Sequence, residues 1–130
     1  MSVRSLTVLA LCALLIPLAG CGDDPKKDVR TTLDGFATAI AKKDWQRICV
    51  DIFSAKLVDQ VRQTLPCEVA LQRSTLNKTK NPKIVVGKIS VKGSTAHAQI
   101  TTSADNQPPS KDTAVLVKQK DGWRIQALSS

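Results

Sequence analysis

The stretch VVGKISVKGSTAHAQI, residues 85–100, decides the fold because apolar and polar side chains alternate on both sides of Gly93-Ser94. Such alternation is typical of the two strands of a β-hairpin, and Gly93-Ser94 suits a two-residue turn. The register set by this turn gives one apolar face, which pairs Val91 with Ala96, Ile89 with Ala98, and Gly87 with Ile100. The opposite face is polar and carries Lys88, Ser90, Lys92, Thr95, His97 and Gln99.

A second hairpin closes the chain. Residues 104–112 contain Pro108-Pro109 and are predicted to form a loop before a third strand, residues 114–119. A two-residue turn at Asp121-Gly122 would mix polar and apolar side chains on each face of the last two strands. A three-residue turn, residues 120–122 with Gly122 left-handed, keeps one face apolar and pairs Val117 with Ile125 and Val115 with Ala127.

The residues before this sheet follow helical spacing. Apolar positions recur from Val29 to Ile40, with Asp24 as the N-cap, while Asp44 begins a second helix and Ser54 caps a third. The predicted buried positions of these two shorter helices are Trp45, Ile48, Cys49, Ile52, Leu57, Val58, Val61 and Leu65. A further helical stretch is predicted over residues 67–76. The sequence therefore predicts an α+β domain, with N-terminal helices packed on one face of a curved, antiparallel four-stranded sheet.

Residues 1–20 have the pattern of an export signal. Arg4 precedes an apolar run, residues 6–16, that is too short for a stable membrane span. Leu18-Ala19-Gly20-Cys21 matches the lipobox, so the sequence resembles bacterial lipoproteins. The resemblance implies a signal peptide over residues 1–20, a lipidated tether over 21–27 and a folded domain over 28–130. It also implies a diacylglycerol on Cys21 that anchors the chain on the extracytoplasmic face of a membrane; the alternative is a secreted protein with an unmodified cysteine.

Two cysteines are left for the folded domain, because Cys12 belongs to the signal and Cys21 to the anchor. Thiols are usually oxidised in exported proteins, so we expect a disulfide between Cys49 and Cys67. Two buried free thiols are the alternative. No metal site or cofactor is expected, because His97 is the single histidine and no ligand set has a suitable spacing.

Several short motifs resemble the nuclear transport factor 2-like (cystatin-like) superfamily. They are the Lys43-Asp44-Trp45 turn between the first two helices, the closing strand DGWRI of residues 121–125, and a cysteine pattern formed by Cys49 and Cys67-Glu68. This pattern is similar to that of small exported lipoproteins of high-GC bacteria. The resemblance implies a curved sheet wrapped around a helix to form a cone, used for isomerase or dehydratase chemistry, for ligand binding or for assembly.

We predict no catalytic residue on the inward face of the sheet. The superfamily's enzymes use Tyr, Asp or His side chains that point into the cone, whereas this chain has no Tyr and the predicted inward face has no ionisable group. His97 lies between Ala96 and Ala98 and should face solvent. The acidic residues Asp44 and Asp51 are interpreted as helix caps or surface groups. The predicted inward residues are Val85, Gly87, Ile89, Val91, Ala96, Ala98, Ile100, Val115, Val117, Trp123, Ile125 and Ala127.

Small side chains on this face leave room either for a closely packed helix or for a small apolar ligand. The candidate pocket residues are Trp45, Gly87, Ala96, Ala98 and Trp123, and core packing is the alternative for all of them. The leading hypothesis is a non-catalytic module that binds a small ligand or another envelope protein. An isomerase or dehydratase of the same fold is the alternative.

The chain is basic, with a formal net charge of +8. Six basic residues and no acid lie between Ala70 and Ala104, namely Arg73, Lys78, Lys80, Lys83, Lys88 and Lys92. Nucleic acid is not expected as a partner, because the chain carries an export signal and no Tyr or Phe accompanies these residues. A third hypothesis is therefore that they contact an anionic polymer or anionic lipids of the cell envelope. A solvated surface is the alternative.

Overall fold

Helix α1, Pro25–Lys42, begins where the sequence predicts, because the side chain of Asp24 accepts a hydrogen bond from the backbone N–H of Lys26. The computed structural model describes residues 24–129, so the predicted signal peptide and Cys21 lie outside the described residues. The predicted tether overlaps α1 at residues 25–27. Lys43, with φ 55°, ends the helix in the left-handed region.

Several short helical segments follow α1 and pack against it, against the sheet or against one another. Helix α2, Trp45–Arg47, continues directly into a π-helical turn, Ile48–Ile52. Helix α3 is Ala55–Val61 and helix α4 is Cys67–Arg73, followed by a 3-10 turn, Thr75–Lys78. The predicted caps are present, since the backbone N–H of Arg47 donates to the Asp44 carboxylate and that of Leu57 to the Ser54 hydroxyl.

The second half of the chain forms an antiparallel sheet in the order β1-β2-β3-β4. Its strands are β1 Lys83–Lys92, β2 Thr95–Ala104, β3 Gln107–Gln119 and β4 Gly122–Ser129. The predicted α+β architecture, with helices on one face of a four-stranded meander, is confirmed. Gly93 has φ +60°, as the first central residue of a type II′ turn requires.

The first hairpin follows the predicted register only near its turn. Val91 pairs with Ala96 and Ile89 with Ala98, but a β-bulge shifts the pairing so that Val86, and not Gly87, lies opposite Ile100. The bulge therefore turns Ile84 and Val86 toward the helices and Val85 toward solvent. A lone glycine within a strand pattern is a known signal for a bulge. An added Cβ on Gly87 would lie 3.3 Å from the carbonyl oxygen of Gln99.

The predicted loop over residues 104–112 is wrong, because strand β3 begins at Gln107. Strands β2 and β3 meet in a tight turn at Asp105-Asn106, and the pairing is irregular between Thr102 and Ala104. Proline has no N–H to donate to a sheet and is tolerated at bulges. Pro108 and Pro109 lie in this irregular segment, which allows the strand to continue through them.

The predicted register of the last hairpin is also wrong at its turn. The turn consists of Lys120 and Asp121, so Leu116 and not Val117 pairs with Ile125. A bulge then restores the predicted pairing of Val115 with Ala127. Residues 114–117 are all apolar, and such a run has no alternation that could select between the two faces. Ala114 and Leu116 are buried under the helices, whereas Val115, Val117 and Ala127 belong to the other face.

One hydrophobic core joins the inward face of the sheet to the helices. It is built around fully buried side chains, among which the largest are Val29, Leu33, Ile48, Leu116 and Ile125. All its buried members lie between residues 29 and 125, so the domain has its own core within the described residues.

Candidate functional site

A cleft of about 280 Å³ opens between the C-terminal half of α1, the 3-10 turn and one end of the sheet. This end, called the far end below, contains the start of β1, the end of β2, the first half of β3 and the end of β4. Its lining residues are Phe36, Ile40, Leu76, Thr79, Pro82, Lys83, Ile84, Thr102, Ser103, Gln107, Asp112 and Leu128. A concave, largely apolar site with a few polar groups is the usual form of a small-molecule site. We therefore treat this cleft as the candidate functional site.

Polar contacts hold the walls of the cleft together. The ammonium of Lys43 at the end of α1 donates to the side-chain oxygen of Asn77 at 2.9 Å. Asn106 in the β2–β3 turn donates to the carbonyl of Lys78 at 3.0 Å and accepts from the backbone N–H of Lys80 at 3.1 Å. The 3-10 turn is thus attached both to the helix and to the sheet.

The apolar side chains of the cleft come from elements that are distant in sequence. Phe36 and Ile40 lie on the buried face of α1, and Leu76 reaches in from the 3-10 turn. Ile84 points toward them because the bulge in β1 reverses the faces of that half of the strand. Leu128 remains 47% exposed, which is unusual for so large an apolar side chain. The cleft thus presents unburied apolar surface to a ligand.

Asp112 supplies a carboxylate to this apolar environment. It pairs with Ile100 and lies two residues before the buried Ala114, so it belongs to the inward face. The hydroxyl of Thr102 donates to Oδ2 at 3.0 Å, and that of Ser110 lies 3.4 Å from Oδ1. No salt bridge to Asp112 exists among residues 24–129.

The presence of Asp112 corrects the expectation that the inward face has no ionisable group. The sequence reasoning missed it because residues 104–112 were interpreted as a loop. The available signal was alternation, since Asp112 continues the period of Ala114 and Leu116 once β3 is extended in the N-terminal direction.

The five predicted pocket residues do not come together around one cavity. Trp45, Ala96, Ala98 and Trp123 are buried in the core, in agreement with the alternative of core packing. Gly87 instead borders a groove of about 410 Å³ on the opposite, open face of the sheet. His97 is also on the open face, exposed and opposite Ser90, where the sequence predicts it.

The six basic residues between Ala70 and Ala104 are all exposed but do not form one cluster. Arg73 is on α4 and Lys78 on the 3-10 turn, while Lys83, Lys88 and Lys92 are distributed along β1. A strand of ten residues is roughly 33 Å long, so its ends are well separated. Lysines on an edge strand also prevent unwanted pairing with other strands.

The two remaining cysteines are brought together as predicted. Cys49 in the π-helical turn and Cys67 at the start of α4 are joined by a disulfide, with a Cα separation of 6.1 Å that is usual for such a bond. Within residues 24–129, no group of three or more potential ligands could hold a metal ion. None of the described helices is both long and apolar enough to span a membrane.

Comparison with known proteins supports the fold. No protein-family model and no curated protein sequence matches this chain. The structure is similar to that of an NTF2-like (nuclear transport factor 2-like) protein of unknown function from Shewanella baltica OS155, with a TM-score of 0.56 and 17% sequence identity. The match covers 79% of this chain and 89% of the other. The architecture is thus the nuclear transport factor 2-like fold that the sequence resemblance implied.

Proposed function

We propose that the domain is a non-catalytic module that binds a small, largely apolar molecule in the cleft between α1 and the far end of the sheet. The observation that carries this proposal is the apolar lining of the cleft, in which Leu128 is 47% exposed beside the buried Phe36 and Ile40. A ligand that covers this surface removes apolar area from water, which stabilises the complex by about 25 cal/mol for each Å² buried.

We also propose that the chain is a lipoprotein anchored through Cys21 on the extracytoplasmic face of a membrane. Three residues after this cysteine, Asp24 already caps α1, so the start of the domain would lie within about 10 Å of the anchor. Helix α1 has 18 residues and is therefore about 27 Å long. The cleft lies beside its C-terminal half, at the helix end opposite to the one that the proposed anchor would hold.

The binding proposal is tested with the isolated domain, residues 24–130, and 1-octanol as a neutral apolar probe. We expect methyl NMR shifts confined to residues of the cleft, such as Ile84, Leu76 and Leu128. The variant Leu128→Glu should weaken binding at least about fivefold, because it places a charge in the apolar site. The matched control is Val85→Glu, since Val85 is equally apolar and 65% exposed but faces the other side of the sheet. Absence of shifts, or equal effects of the two variants, would count against the proposal.

The anchor is tested separately by metabolic labelling with an alkynyl fatty acid. The wild-type chain should incorporate the label, and Cys21→Ser should remain an unlabelled or mislocalised precursor. A wild-type chain without label would exclude the anchor and leave the binding proposal untouched.

The main competing function is an isomerase or dehydratase of the same fold. Asp112 favours it, because a carboxylate in an apolar cleft is a group that could act as a general base. Binding is nevertheless the better-supported role, because the one other titratable residue among the described lining of the cleft is Lys83, which is exposed at the rim and leaves Asp112 without a general acid beside it. Chemical conversion of a bound ligand that is lost in Asp112→Asn would favour the enzyme.

A further inference from the structure

We propose that the ligand of the cleft carries a protonated amine at its polar end, and that Asp112 binds this ammonium group. The inference rests on the proposed function, because it assumes that the cleft holds a small apolar molecule. It adds the chemical class of that molecule, a cationic amphiphile.

The first argument is the unsatisfied capacity of the carboxylate. An ionised aspartate offers about four acceptor positions, and the described contacts of Asp112 are the hydroxyls of Thr102 and Ser110. The latter is long, at 3.4 Å. Capacity therefore remains for a donor from a ligand, and a charged donor forms the stronger hydrogen bond.

The second argument is the uncompensated negative charge. Asp112 is half-buried in the lining of the cleft, and no salt bridge to it exists among the described residues. Partial burial strengthens the attraction between opposite charges relative to water. An ammonium next to this carboxylate would replace water with a partner of opposite charge.

Lys83 is the second charged residue at the cleft, and its positive charge would favour a ligand with an anionic head group. It is exposed at the start of β1 and pairs with Ser103, so it lies at the rim and not on the inward face. Its solvated ammonium on a flexible side chain should contribute less than the half-buried carboxylate. A ligand with an anionic head would instead be selected by Lys83.

The volume of the cleft suggests suitable probes. A cavity of about 280 Å³ is roughly nine times the volume that one water molecule occupies in the liquid, about 30 Å³. A chain of about eight carbons is thus an appropriate apolar body. Octylammonium, 1-octanol and octanoate have the same body and differ in the charge of the head.

The experiment measures the affinity of residues 24–130 for these three probes. Octylammonium should bind about tenfold more tightly than octanol, and octanoate more weakly than octanol. Asp112→Asn, which keeps the shape and an acceptor for Thr102, should bring the ratio of octylammonium affinity to octanol affinity close to one. Asp34→Asn is the matched control, because it removes the same charge from the exposed side of α1. It should leave the preference intact.

A second measurement does not depend on a variant. Higher salt should reduce the preference for octylammonium over octanol in the wild-type domain, because screening weakens the charge contribution alone. The inference is overturned if octanol binds without a preference for the ammonium, if the preference persists in Asp112→Asn, or if octanoate binds most tightly. In these three cases the proposed function survives. If none of the probes binds, the proposed function fails and the inference with it.

Discussion

The backbone N–H of Ser54 donates a 2.8 Å hydrogen bond to the carbonyl oxygen of Ile125. Beside it, Phe53 forms an isolated parallel β-bridge with Ile125, so the segment between the π-helical turn and α3 pairs with part of the outer edge of β4. The same Ser54 caps α3 through its hydroxyl and is almost completely buried. One residue therefore connects a helix start to the edge of the sheet.

We expect Ser54→Ala to lower the free energy of unfolding by about 1 kcal/mol, because the N-cap hydrogen bond to Leu57 is lost while the backbone bond to Ile125 remains. Urea denaturation measures the change. Ser90→Ala, an exposed position on the open face, is the matched control and should change stability by less than about 0.5 kcal/mol. Equal effects of the two variants would argue against the cap.

The register of the last hairpin makes opposite predictions for two adjacent residues. Leu116→Ala should destabilise the domain by about 2 to 5 kcal/mol, because Leu116 is fully buried under the helices. Val115→Ala should cost less than about 1 kcal/mol, because Val115 is half-buried on the open face. Thermal or urea unfolding of both variants decides between the registers. If Val115→Ala lost more stability than Leu116→Ala, the register predicted from sequence would be supported instead.

The disulfide gives a prediction about oxidation state and stability. Alkylation of the unreduced protein followed by mass spectrometry should detect no free thiol at Cys49 or Cys67. Replacing both by alanine should cost about 2 to 4 kcal/mol, since the bond closes a loop between residues 18 positions apart. Two alkylated cysteines before reduction would refute the bond in the isolated protein.

His97 is expected to contribute little to stability. It is exposed on the open face between the neighbouring residues Ser90 and Val115 of the adjacent strands. His97→Ala should change the unfolding free energy by less than about 0.5 kcal/mol, as is usual for surface positions. A larger loss would mean that the open face is covered in solution.

Local signals in the sequence predicted most of the fold. The caps Asp24, Asp44 and Ser54 and the turn at Gly93-Ser94 were correctly predicted, because each depends on a few neighbouring residues. The errors lie where the pairing between strands determines the structure. The lone Gly87 in a strand pattern signals a bulge, but the shift in pairing that it causes depends on the partner strand, as does the entry of β3 through two prolines.

The candidate site shows the same division. Phe36 and Ile40 were recognisable as a buried helix face from their spacing. Their proximity to Leu128 and Asp112 depends on the register of strands that lie far away in sequence. Alternation could therefore place Asp112 on the inward face once β3 was extended, but it could not show which residues of other elements lie beside it.

The bulge in β1 gives this strand one residue more than β2 over the same length of sheet. Before it, Ile84 and Val86 face the helices, and after it Ile89 and Val91 do so, because the extra residue resets the alternation. Deleting Gly87 or Lys88 would remove this extra residue and leave both pairs facing the helices, because Val86 and Ile89 would then be two residues apart, as their partners in β2 are. A one-codon deletion at the bulge should therefore be absorbed, whereas deleting Val85 or Ser90 would turn one member of a pair toward solvent and damage the cleft or the core.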